Sequence, residues 1–161
     1  MRKRTKGRET ALQLLYWQGI TCEEPEQVAE AYFSEYPEDE EVAEFAKALF
    51  YGVIKEQVKL DQAIKDRLEH WELKRVAILD RHILRLALFE LLFLAETPPV
   101  VVIDEAIELA KRFSTDDSFR FVNGILDKVI KEGTKWQRHK GINLNLDFCK
   151  FCYCPVKSGV S

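Results

Sequence analysis

From Val76 to Leu94 the chain is apolar on nearly every side, broken only by Asp80, Arg81, His82, Arg85 and Glu90. A helix of that composition has no full solvent face and has to be contacted from several directions. The rest of the chain supplies helices to do so. Ala11, Leu12, Leu14, Leu15 and Tyr16 recur at helical spacing in a first helix from Lys6 to Gln18, with Gly19 as its stop. Pro25 opens a short helix to about Ser34, and Pro37 followed by four acids opens another. Val42, Phe45, Ala46, Leu49, Phe50 and Val53 form that third stripe, and Leu60, Ala63, Ile64 and Leu68 form a fourth.

Trp71 and Leu73 mark a joint before the central segment, and Thr97-Pro98-Pro99 ends it, because neither proline donates to a helical ladder. The four β-branched residues Val100 to Ile103 suit a strand. Val102, Ala106, Leu109 and Phe113, however, repeat at a spacing no strand supplies, which predicts helix from Pro99 to Arg112. Ser114 to Ser118 is a run of cap-forming residues, and Phe119, Val122, Ile125, Leu126, Val129 and Ile130 continue as a last helix. Asn123-Gly124 falls inside that stripe, so Gly124 reads as a point of close helix approach rather than a hairpin turn. The fold expected is all-α, about seven helices in two small bundles, over 1–70 and 71–132, with an irregular tail at 133–161.

With 161 residues and 47% hydrophobic content the chain suits one compact unit. Its net charge of −3 hides a strong separation along the sequence. Met1 to Arg8 holds five basic residues and no acid, Glu23 to Glu44 holds ten acids and no Lys or Arg, and 133–161 is again basic. Such separation suits a protein whose ends meet a polyanion. The basic start is not followed by an uninterrupted apolar run, and Leu86 to Ala95 is broken by Glu90 and shorter than the ~20 residues that cross a bilayer. A soluble, cytoplasmic protein without a membrane role is expected.

Arg2, Lys3, Arg4, Lys6 and Arg8 can neutralise several phosphates, or simply form a solvated tail. Arg120 and Phe121 place a guanidinium and a flat ring together, the residue types that clamp and stack unpaired bases. Phe119 and Phe121 lie about 200° apart on a helix, so they cannot share one face, and the stripe containing Phe119 closes a core without Phe121. Asp80, Arg81, Arg85 and Glu90 are spaced for ion pairing along their own helix or for contact with a partner. His70, His82 and His139 are scattered, and neither a phosphate-binding glycine loop nor a nucleophile with a nearby base is evident, so neither an enzyme nor a cofactor is expected. Cys149, Cys152 and Cys154 have half of a thiolate metal site, which His139 could complete; the second pair is missing, and an oxidation-prone extension is the simpler account.

Three stretches carry more than their chemistry: Arg8 to Tyr16, Asp80 to Glu90, and Ala106 to Ser114 followed by Phe121-Val122-Asn123-Gly124-Ile125-Leu126-Asp127. In this order, over 1–132, the chain resembles the NusB family of transcription antitermination factors. The resemblance implies a small all-helical protein that binds single-stranded boxA-type RNA together with NusE, a small-subunit ribosomal protein. It implies service to the RNA polymerase antitermination complex on ribosomal RNA operons. It assigns RNA contact to the arginine-rich start, Arg2, Lys3, Arg4, Lys6 and Arg8, and to Phe121 with Lys111, Ser114, Asp117, Ser118 and Arg120. It assigns the protein partner to Tyr16, Asp80 and Glu90; the Tyr16-Trp17 spacing is one residue shorter than the family pattern, so the carry-over stops at Tyr16. Two other readings stand beside it. One is a helical interaction module without RNA. The other is the NusB-like part of an RNA cytosine methyltransferase, for which 133–161 is too short to supply the catalytic domain.

Overall fold

The computed structural model describes residues 2–94 and 96–137, with side chains to residue 132. Six α-helices succeed one another and no strand occurs among the described residues: α1 (Lys3–Thr21), α2 (Pro25–Glu35), α3 (Glu40–Lys65), α4 (Ile78–Phe89), α5 (Pro99–Phe113) and α6 (Ser118–Gln137). A 3-10 turn, Leu73–Arg75, precedes α4, and a π-helical turn, Glu90–Leu94, extends it. None of these helices is long and apolar enough to cross a membrane.

Sequence periodicity and structure agree on α5, which begins at Pro99 despite its β-branched run. They differ over the third and fourth stripes, which are one helix of 26 residues, α3. No Gly or Pro separates Val53 from Leu60, and the intervening Lys, Glu and Gln are good helix formers, so the helix has no reason to stop. This merger accounts for six helices where about seven are expected. Gly19 does not end α1 either; the helix runs to Thr21 and stops at Cys22, whose backbone is left-handed (φ 54°) and whose N–H donates to the Gln18 carbonyl.

The core is one continuous apolar cluster with residues from every helix. α1 packs chiefly on α3 and α5 on α6, while α4 touches α1, α3, α5 and α6. Every residue from His82 to Glu90 is buried, as the all-round apolar composition of this segment demands. The close approaches occur at glycines other than Gly124. At Gly52 a Cβ would collide with the Phe89 ring, so the absence of a side chain lets α3 and α4 meet. A Cβ at Gly19 would lie 3.2 Å from His82 Nε2. Gly124, in contrast, is exposed with nothing within 4 Å of the position a Cβ would take. The close-approach reading of Gly124 is therefore replaced by an open face on α6.

The charges on α4 pin the other helices to it. Asp80 receives hydroxyls from the turn between α5 and α6, Arg85 donates twice to Asp61 of α3 at 2.6 and 3.0 Å, and Glu90 takes two bonds from Arg8 of α1. Each pair joins different helices, instead of neighbours along α4 as spacing alone suggests.

Candidate nucleic-acid interface

At the start of α1 the basic side chains divide by depth. Arg2, Lys3 and Arg4 are exposed and Lys6 is half-buried. Lys3 reaches Glu41 at 2.7 Å and Asp39 at 3.3 Å; Arg4 reaches Glu96 at 3.6 Å; Lys6 reaches Glu38 at 3.6 Å. The hydrogen bond that Lys3 donates to Glu41, and then the one it donates to Asp39, raise the Lys3 pKa, and Lys3 lowers that of Asp39. Exposed pairs of this kind are screened by solvent and offset by the side-chain entropy they cost, so these cations can exchange a carboxylate for a phosphate.

Arg8 is different. It is 4% exposed, its Nε donates to Glu90 Oε1 at 2.6 Å and its Nη2 to Glu90 Oε2 at 2.8 Å, and Glu105 lies 3.8 Å from Nη1. A guanidinium so enclosed has no face for RNA, which corrects its place among the phosphate contacts. One turn of α1 inward turns a basic tail into an interior ion pair.

A second group gathers where α5 meets α6. Asp80 is 6% exposed and accepts from Ser114 Oγ (2.5 Å) on Oδ1 and from Ser118 Oγ (3.0 Å) on Oδ2. Thr115 Oγ1 lies 2.7 Å from Ser118 Oγ. Three hydroxyl hydrogens serve this cluster; with two committed to the carboxylate, Thr115 donates to Ser118. Ser114 and Ser118 thus fasten the turn to α4 from inside, and Asp117 remains exposed on its outer side. Fastened in this way, the turn sets where the first residues of α6 lie. Phe119 is half-buried, with Lys111 Nζ 5.3 Å and the Arg120 guanidinium 5.5 Å from its ring. Phe121 is also half-buried, packing one side on the core. The two rings share the work that the helical wheel gives to one alone. Phe119, between two exposed cations, is the residue sequence reasoning passes over. Its partner Lys111 lies eight positions earlier, across a turn whose path no spacing rule provides. Arg112, which pairs with Glu9 of α1, is missed for the same reason.

Of the residues assigned to a protein partner, Tyr16 is 40% exposed on α1. Asp80 and Glu90 are interior, with both oxygens of each carboxylate occupied, so neither is the polar handle expected from sequence. Asp80 instead fastens the turn that joins α5, which carries Lys111, to α6, which carries Phe119 and Arg120. Cys149, Cys152, Cys154 and His139 lie outside the described residues; among the described residues no group of three His, Cys, Asp or Glu side chains is placed to hold a metal.

Comparison with known proteins bears on this arrangement. The NusB family pattern matches residues 5–131. The transcription antitermination protein NusB of Bacillus cereus (strain B4264) is 41% identical over 128 residues, covering 79% of this chain and 96% of that protein. Among solved structures, NusB of T. maritima superposes with a TM-score of 0.75 at 38% identity, over 82% of this chain and 92% of that one. The matching chain of a crystal structure of the antitermination factors NusB and NusE in complex with double-stranded RNA gives 0.74 at 28% identity, over 82% and 98%. The family match takes in α1 from Thr5 onward and the whole α5–α6 turn, and the relatives are covered over nearly their whole length: the chain belongs to the NusB family.

Proposed function

We propose that this chain is an RNA-binding transcription antitermination factor that captures a boxA-type single strand in nascent RNA together with NusE, supporting transcription of ribosomal RNA operons by RNA polymerase. It is a binding protein and not an enzyme. The observation that carries the reading is the α5–α6 turn, where exposed Lys111 and Arg120 flank the ring of Phe119 with Phe121 close by, held in place from beneath by Asp80. Cations beside partly open rings suit phosphates and unpaired bases at once. The solved relative that holds NusE and RNA supports both partners. Arg2, Lys3, Arg4 and Lys6 add further cations, and Tyr16, exposed on α1, is assigned to the protein partner.

Filter-binding or anisotropy titrations over a range of salt test this. Replacing Arg2, Lys3 and Arg4 together by Ala should weaken binding to all RNA sequences alike and reduce the salt slope by roughly 0.7 per lost phosphate contact. Phe121→Ala should lower affinity by ~1–3 kcal/mol through lost stacking. Because one side of Phe121 packs on the core, it should also lose some stability, less than the ~3–5 kcal/mol of a fully buried ring. An unchanged salt slope and unchanged affinity would leave the helical interaction module as the better reading.

A further inference from the structure

Trp71 is 63% exposed, and the sequence gives it no task beyond marking a joint. It sits in the chain between α3 and α4, at the edge of an open groove of about 280 Å3 whose opposite wall is α6. Arg120, Phe121 and Gly124 form that wall, and Leu68 and Ile125 add apolar surface. Because nothing lies within 4 Å of where a Gly124 Cβ would be, the space over α6 is open. An indole left this exposed, across from a helix wall that is open at Gly124, is an unfilled stacking surface.

From this geometry we propose that the groove is a further nucleotide site, in which one unpaired base of the bound RNA stacks on Trp71. The proposal rests on the RNA-binding reading and extends it. Continuity favours a nucleotide as the occupant: Phe121 and Arg120 belong both to the α5–α6 surface and to this groove, so a strand crossing the first places its next residue over the second. Charge agrees. Lys128 is held by Glu69 at 3.1 Å and Arg67 by Glu132 at 3.1 Å, each acid with its own cation. Arg120 makes no ion pair among the described residues, and its guanidinium is exposed to receive the phosphate. Stacking on an aromatic plane tolerates any base, so Trp71 adds affinity more than sequence preference.

The test compares the unaltered chain with Trp71→Ala and Trp71→Phe in titrations with a boxA-type single-stranded RNA, alongside thermal melts and NusE binding. Trp71→Ala should weaken RNA binding about tenfold (~1.4 kcal/mol) with the melt unchanged, and Trp71→Phe should restore most of the loss because its ring still stacks. RNA binding by the unaltered chain with equal affinity in Trp71→Ala would overturn the groove as a nucleotide site and leave the broader RNA reading standing. Loss of NusE binding with RNA affinity intact would assign the groove to the protein partner and overturn the proposal. Absence of RNA binding by the unaltered chain would overturn both.

Discussion

Glu90→Ala is expected to cost ~3–5 kcal/mol of folding free energy, because it strands the Arg8 guanidinium in the interior. Glu90 is 2% exposed, and its two oxygens are the acceptors for Arg8 Nε and Nη2. Glu105, at 3.8 Å, is too far to replace a bidentate partner. Against a total stability of ~5–15 kcal/mol for a domain, that loss is large. Replacing both partners by apolar residues, Arg8→Met with Glu90→Leu, should recover most of it, since the cost arises from an uncompensated charge rather than from the pair's net attraction. Urea unfolding of the single and double variants checks this; a single variant within about 1 kcal/mol of the unaltered chain would refute an interior pair.

The second large effect depends on pH. His82 is buried on α4 with its pKa lowered from 6.5 to about 3, first by burial and then by the neighbouring Arg85 and Arg81 guanidiniums. Its Nδ1 lies 3.3 Å from Arg85 Nη1 and accepts from it, while Asp61 from α3 faces Arg85 and Gly19 from α1 closes over Nε2. The folded protein therefore keeps the ring neutral where the unfolded chain protonates it. Stability from this residue is complete above about pH 6.5 and is lost as pH falls toward about 3, at up to ~1.4 kcal/mol per pH unit. Going from about pH 8 to about pH 5 should cost ~2 kcal/mol through His82, before most carboxylates begin to protonate. His82→Gln, which keeps an acceptor for Arg85 but does not titrate, should flatten the curve by that amount. Parallel curves for the two proteins would show that His82 is accessible to protons in the fold.

How far the sequence carries depends on the range of each interaction. The all-round apolar α4 and the helical spacing through Val102, Ala106, Leu109 and Phe113 are local patterns, and the structure agrees with them. The acids and arginines of α4 are legible as polar residues on an apolar helix, but not as pins. Arg8 and Glu90 are 82 positions apart, and Ser118 is 38 from Asp80, distances over which no periodicity operates. Asp61 offers no signal at all before its bidentate contact with Arg85 is seen. Gly19 and Gly124 both depart from their sequence readings for the same reason: whether a glycine stops a helix, admits a neighbour or faces open space depends on what packs against it. The helical wheel puts Phe119 and Phe121 on different faces, one for the core and one outward. Burial is not all-or-none, however, and both rings end half-covered at the edge of the core.

Recognition of RNA in company with NusE is the property on which every role given to this surface depends. It is measured as the affinity of the unaltered chain for a boxA-type single strand and for a scrambled strand of equal length and composition, with and without NusE, at fixed salt. The boxA-type strand should bind more tightly and gain further when NusE is added, with the scrambled strand showing only salt-sensitive residual binding. Equal affinity for both strands, unaffected by NusE, would contradict RNA recognition by this surface.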